Sequence, residues 1–184
     1  FANGRYSSGS TSDLRARALE AFVGRSVAMT GLLAEDPHRR LPGAELYGEP
    51  SEAELHLFDE SYETLTPVER RALVAEVGEA ARSVPGAEKI ISATAGWYDE
   101  RSDVAQRHSD GFEGSKNSTV FGVHASVTVR GEEGKRPMGW ESSAARHRSE
   151  LADPKEIGRR AAERALSRLG SGPIPTGRAT MIVE

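Results

Sequence analysis

The sequence contains no cysteine, which removes disulfides and thiolate metal sites at once. It has no apolar run approaching the roughly 20 residues that span a bilayer, so no segment reads as a transmembrane helix. Basic charge is not concentrated anywhere. The 24 Lys and Arg residues are interspersed with 28 Asp and Glu, for a net charge of −4. That excludes the basic face a nucleic-acid-binding surface requires. The opening FANGRYSSGS lacks the charged start and apolar stretch of a secretory signal, so the cytoplasm is the expected location. GxGxxG and GxxxxGK[ST] phosphate loops are absent, as is the HExxH zinc motif. Ser7, Ser8 and Ser10 have neither a local His nor a nucleophile elbow.

What is present is a soluble globular profile of 184 residues, with 37% hydrophobic and 28% charged residues. That is enough chain for one or two domains with a real core. The chain opens on Phe1 rather than Met and closes on TGRATMIVE, which reads as a strand entering further structure. A piece of a longer protein is the expectation.

Phe1 to Ser8 reads as a short strand with an Asn3-Gly4 turn. Ser10 to Asp13 offers side-chain oxygens to cap a helix running to about Leu33, with Leu19, Phe22, Val23 and Val27 as its buried stripe. From Asp36 to Leu65 periodicity fails, with Pro37, Pro42, Gly43, Gly48 and Pro50 as breakers and one helical turn at most, Glu52 to Phe58. Thr66-Pro67-Val68-Glu69 is a capping box, and Leu73, Val77, Ala80 and Val84 share a face of the helix it starts. Pro85-Gly86 ends that helix.

Four strands follow. Ile91, Ala93, Ala95 and Trp97 alternate on the first, and the second, Val104 to Ser109, is more polar. Gly111-Phe112-Glu113-Gly114 is turn chemistry. The third strand alternates most cleanly, with Phe121, Val123, Ala125, Val127 and Val129 on one face. Met138, Trp140, Ser142 and Ala144 share a face of the fourth. Turns this short demand antiparallel neighbours. Asp153-Pro154 starts a last helix with Ile157, Ala161, Ala165, Leu166 and Leu169 inward, and Ala179 to Val183 is a closing strand. The fold class is α+β: an antiparallel multi-stranded sheet with helices packed on one face. The domain boundaries expected are 1–35 as the end of an N-terminal domain, 36–65 as a linker and 66–184 as a central α+β domain running into a further one.

The chemistry is sparse. His38, His56, His108, His124 and His147 have no second ligand at helical metal spacing. His56 and Asp59 would face one another only on a helix, and a solvated pair is the plainer reading. His108 and His124 lie on strands that could pair across the Asp110–Gly114 turn, as a solvent-facing polar pair. Glu132-Glu133 and Asp59-Glu60 read as solvated turns, and Trp97 and Trp140 as core residues. No catalytic, cofactor-binding or metal-binding residue is assigned. The residues leave three readings: the non-catalytic part of a larger enzyme, a structural or self-association module with no role in turnover, or an enzyme with a dispersed site.

The stretch DGFEGSKNSTVFGVHASVTV, followed by WESSAARHRSELADPKEIGRRAAERALSRLGSGPIPTG, resembles the central region of the TldD/PmbA family. TSDLRARALEAFVGRSVAMTGLLAEDPHRRLP is similar to the end of the family's N-terminal domain, with Asp36-Pro37 followed by Leu41-Pro42. The segment SSAARHRSELADPKEIGRRAAERALSRL is closer to the PmbA (TldE) branch, which lacks the His-Glu metal motif of TldD-like members. The resemblance implies a subunit of a zinc-dependent peptidase that degrades small or unfolded peptides. Its partner would be a TldD-like subunit that supplies the zinc in a heterodimer, or a second copy in a homodimer. No zinc ligand carries over to a position of this chain. The resemblance further implies a sheet edge that holds an extended peptide by main-chain hydrogen bonds.

Overall fold

The alternating run around Phe121 becomes the middle strand of a three-stranded antiparallel sheet in the computed structural model, which describes residues 1–48, 53–173 and 175–182. Strand β1 is Ile90–Arg107, β2 is Glu113–Val129 and β3 is Met138–Ala145, in the order β1-β2-β3. The four strands expected are therefore three. The stretch expected to separate the first two, Asp99 to Asp103, continues the β1 ladder opposite Phe121 to Asn117. Its polar side chains mark a solvated part of the ribbon rather than a break. The closing strand is not formed over Ala179–Ile182, and Val183 lies outside the described residues, as do Pro50 and Glu52.

Three helices accompany the sheet: α1 Ala16–Gly31, α2 Pro67–Arg82 and α3 Pro154–Ser167. The chain divides into two units, one of residues 1–52 and 108–112, the other of residues 53–107 and 113–184.

In the larger unit, α2 starts as the sequence dictates. The Thr66 hydroxyl accepts the Glu69 N–H, and the Glu69 carboxylate accepts the Thr66 N–H at 2.7 Å. Helix α3 starts on Asp153, whose carboxylate accepts the Lys155 N–H, with Pro154 in the first turn. Both helices cover one face of the sheet. Val123, Ala125, Val127 and Val129 of β2 are buried against Val77, Ala81 and Val84 of α2 and Ile157, Ala161, Ala162 and Ala165 of α3, while Phe121 is buried with its ring against Tyr62 and Trp97. Each fully buried Val, Ile or Phe side chain contributes about 1.5–3 kcal/mol.

Small residues set the distances. A Cβ on Gly158 would collide with the Val77 carbonyl, and one on Gly139 with the α3 backbone at Ala161 and Ala165. Backbone therefore meets backbone at these two points, α3 against α2 at Gly158 and α3 against β3 at Gly139.

Within this unit, no helix among the described residues covers the opposite face of the sheet. The register places Tyr98, Gly122 and Ala144 in one row, Gly96, His124 and Ser142 in the next, and Thr94, Ser126 and Trp140 in a third. Trp140 is 53% exposed here, not in the core, because it alternates with inward Gly139 and Glu141. Trp97 sits on the helix side, partly buried against the core.

The smaller unit pairs α1 with the chain that precedes it. Ala2 and Arg5 bridge across Asn3-Gly4, both in the left-handed region. Arg5 Nε donates to the Leu33 carbonyl, Ser7 Oγ lies 2.5 Å from Thr30 Oγ1, and Phe22 packs near Gly9. Leu19, Val23 and Val27 are exposed, contrary to the buried stripe expected. The 2–9 segment lies along α1, with Ser7 against Thr30 and Gly9 against Phe22. The helix also starts later than the Ser10–Asp13 cluster suggests. Its N-cap is Arg15, without a side-chain bond, and the Asp13 carboxylate instead pairs with the Arg15 guanidinium.

Candidate functional site

The strand order leaves two sheet edges, and they are not equivalent. On β3, Arg164 donates to the Trp140 carbonyl at 3.0 Å and Arg168 to the Met138 carbonyl. On β1, Arg82 donates to the Ala93 carbonyl. In an antiparallel ladder a residue's N–H and C=O point to the same side. The peptide groups of Ala95, Trp97, Asp99, Arg101 and Asp103 therefore share the direction of Ala93, away from β2. From Ala95 to Asp103 these groups make no further main-chain hydrogen bond among the described residues. This is an open edge about 30 Å long at roughly 3.3 Å per residue. It is the feature of the molecule best suited to main-chain recognition of an extended chain.

A network of charges stiffens the edge. Arg70 of α2 grips the Asp99 carboxylate with two bonds, Nε to Oδ2 at 2.6 Å and Nη2 to Oδ1 at 3.0 Å, and its Nη1 donates to the Leu65 carbonyl. Trp97 Nε1 donates to the same carboxylate at 2.5 Å. The Asp99 side chain is only 10% exposed. Arg70 first, and Trp97 after it, hold its carboxyl below the usual carboxylate range despite burial. Further along, Arg101 pairs with Glu63 and Asp103. Charge on this stretch suppresses indiscriminate edge-to-edge pairing.

A second polar cluster pins the 53–59 segment. Leu57 O accepts the Thr119 N–H, extending the sheet past the end of β3. Thr119 Oγ1 accepts the Asp59 N–H and donates to the Arg146 carbonyl, both at 2.9 Å. The Asp59 carboxylate accepts from Ser61 N and Arg148 N, each at 2.8 Å. Burial works to raise its pKa, but these N–H donors and nearby His147 outweigh it and bring it below the ordinary value. Asp59 is thus a buried anchor, not the solvated turn residue expected. The 53–58 segment is not helical, and His56 lies in the left-handed region, so His56 does not face Asp59 along a helix. His147 Nε2 instead lies 2.8 Å from the His56 carbonyl oxygen.

The other histidines are scattered. His124 stands on the uncovered sheet face between Gly96 and Ser142, while His108 lies in the hairpin loop, where its N–H bonds the Phe112 carbonyl. The two do not pair, because the ladder places Lys116, Ser115 and Gly114 opposite the end of β1. His108 belongs to a cluster the sequence did not reveal. Tyr47 donates its phenol proton to Asp110 Oδ2 at 2.7 Å, and its oxygen lies 3.0 Å from His108 Nδ1. The Asp110 carboxylate pushes the Tyr47 hydroxyl up to about 12. No group of three or more His, Cys, Asp or Glu side chains among the described residues could hold a metal ion. The Arg70–Asp99, Asp59–Thr119 and Tyr47–Asp110 bonds join residues 29, 60 and 63 positions apart, so no local pattern announces them.

Comparison with known proteins agrees with this architecture. The family model described as the PmbA/TldA metallopeptidase central domain matches residues 60–169. No curated protein matches the sequence. A crystal structure from Bacteroides thetaiotaomicron, named for modulation of DNA gyrase, is 31% identical with a TM-score of 0.86, over 94% of this chain and 39% of that one. A similarly named Thermotoga maritima structure has the same fold at 20% identity and a TM-score of 0.71, over 95% of this chain and 37% of its own. The chain therefore spans well under two thirds of either relative. No helix among the described residues is long and apolar enough to cross a membrane. On the family match and the likeness to the Bacteroides protein, the chain belongs to the PmbA/TldD family and carries its central domain.

Proposed function

We propose that this chain is the central part of a PmbA-like subunit of a cytoplasmic metallopeptidase complex, and that it helps enclose small or unfolded peptides for cleavage. The observation that carries the reading is the open edge of β1 from Ala95 to Asp103, in a domain whose family model is described as that of a metallopeptidase. An extended peptide laid along that edge gains main-chain hydrogen bonds without regard to its sequence, which suits a protein that handles varied substrates. Arg70, Asp99 and Trp97 hold the strand rigid, so the edge is organised before the peptide arrives.

The zinc belongs, in this reading, to a TldD-like partner subunit, where it would polarise the scissile carbonyl and activate water. The described residues of this chain do not present a ligand set for it. Their part is to bind and orient the peptide. Co-expression with a TldD-like subunit should give a stable complex with metal-dependent peptide cleavage. Hydrogen exchange on that complex should then show the amides of Ala95, Trp97, Asp99 and Arg101 slowed by peptide, with their even-numbered neighbours unchanged. Uniform or absent protection along β1 would rule out the edge. A complex that forms but never enables turnover would favour the structural, self-associating alternative.

A further inference from the structure

The helix side of the larger unit holds a second recessed surface, which neither the open edge nor the family description accounts for. A cavity of about 420 Å³ opens between the start of α2 and the segment leading into α3. Its walls are Leu65, Leu73, Leu151 and Pro154, and the Trp97 ring lines it. That ring is fixed by its bond to Asp99. The volume is in the range of small-molecule and side-chain pockets.

Around the cavity the charge is one-sided. Glu69, Glu76 and Asp153 line it against a single cation, Arg148. A neighbouring hollow of about 470 Å³ shares Glu76 and Asp153 and continues between the two helices. It adds Glu79, Glu156 and Glu163 against Lys155 and Arg159. Several of these carboxylates are already committed. Glu156 and Glu163 pair with Arg159, Asp153 caps α3, and Glu69 closes the α2 capping box. Glu76 and Glu79 have no ion pair among the described residues. They lie one turn apart on the exposed side of α2, directly beside the apolar cavity.

We propose that this groove binds a basic, amphipathic peptide segment. One apolar side chain enters the pocket beside Trp97, and lysine or arginine residues flanking it lie along Glu76 and Glu79. The pocket supplies burial of an apolar group, and the two free carboxylates select the charge of its neighbours. An acidic or neutral segment would meet uncompensated negative charge. The site uses side chains on the helix layer rather than main-chain groups of β1, so it does not depend on the peptide-edge reading or on any partner subunit.

The test is a fluorescence titration of the 184-residue chain carrying Trp140→Phe, which leaves Trp97 as the sole tryptophan. The probe is acetyl-Lys-Leu-Arg-Lys-amide, and the comparison peptide replaces each basic residue with Glu. The basic peptide should shift the Trp97 emission saturably, and the acidic one should not. Adding Glu76→Gln and Glu79→Gln should weaken binding about threefold to tenfold, the effect of losing two exposed ion pairs. Circular dichroism should be unchanged, since both side chains are exposed. Equal response to both peptides, no response at all, or undiminished affinity in the double variant would each overturn the proposal. So would sedimentation showing that two copies of the chain bury this groove against each other.

Discussion

Replacing Gly158 by Ala puts the helix-packing argument to a quantitative test. In most exposed helices this exchange is favourable by about 1 kcal/mol, because Ala has the better helix propensity. Here the new Cβ would stand 3.0 Å from both Ala81 N and Val77 C, and closer still to the Val77 carbonyl oxygen. Ordinary contact begins near 3.4 Å, and all three atoms are backbone, so no side chain can swing aside. The two helices must part, loosening Val77, Ala81, Ala161 and Ala162 together. Overpacking of this kind costs about 1–3 kcal/mol, and a backbone clash belongs toward the upper end. After the propensity gain, the net loss should be about 2 kcal/mol. At a urea slope of about 2 kcal/mol per molar, the unfolding midpoint falls by about 1 M. Gly78→Ala is the matched control on α2. Its Cβ would meet only the far end of the Arg82 side chain, at 3.1 Å, rather than backbone, so stability should rise by up to about 1 kcal/mol. Urea unfolding followed by tryptophan emission reads this unit directly, since Trp97 and Trp140 both lie in it. A Gly158→Ala protein as stable as the parent, with an unchanged slope, would refute the close helix crossing.

Thr66→Ala should cost about 1 kcal/mol by removing the cap of α2, and urea unfolding would show it. Phe121→Ala should cost about 3–5 kcal/mol, since the ring is fully buried beneath Trp97 and Tyr62. Asp99 and Asp59 are both held below the ordinary carboxylate value of 3.8, so their contribution is present above that pH and is lost as pH falls through the folded values. Acid unfolding should therefore steepen below about pH 4, and Asp99→Asn should flatten that slope while lowering stability at pH 7. In an alkaline ultraviolet titration, one of the four tyrosines should ionise near 12, and Asp110→Asn should bring it back toward 10.

The parts of the fold legible in the sequence are those whose causes are local. The Thr66–Glu69 box and the Asp153-Pro154 start act within one turn, so both helices begin where the residues say. The alternation from Val123 to Val129 is legible because each inward side chain is buried by the helices above it. The parts that fail depend on what lies across from a residue. Asp99 looks like a break in a strand until Arg70 is seen gripping it. Trp140 looks like core until the register places it on the face opposite α2 and α3, where it is exposed. Leu19, Val23 and Val27 repeat as a buried stripe would, but amphipathic spacing specifies a face and not its cover. A peptide-holding edge was expected from the family resemblance, but which strand supplies it was out of reach for the same reason. Being an edge is a property of strand order, and no residue in β1 encodes it.

The β1–β2 ribbon is unevenly supported along its length. Near Ala93 and Val127 it lies under two helices, while from Asp103 to Arg107 and Glu113 to Asn117 every side chain is exposed. A bare two-stranded ribbon is marginally stable by itself. Thermal opening should therefore begin in this solvated stretch, short of the loop whose Asp110 and His108 bond Tyr47, and run toward the core. Along a single pair of strands, protection from exchange becomes a graded scale, rising residue by residue toward Val127.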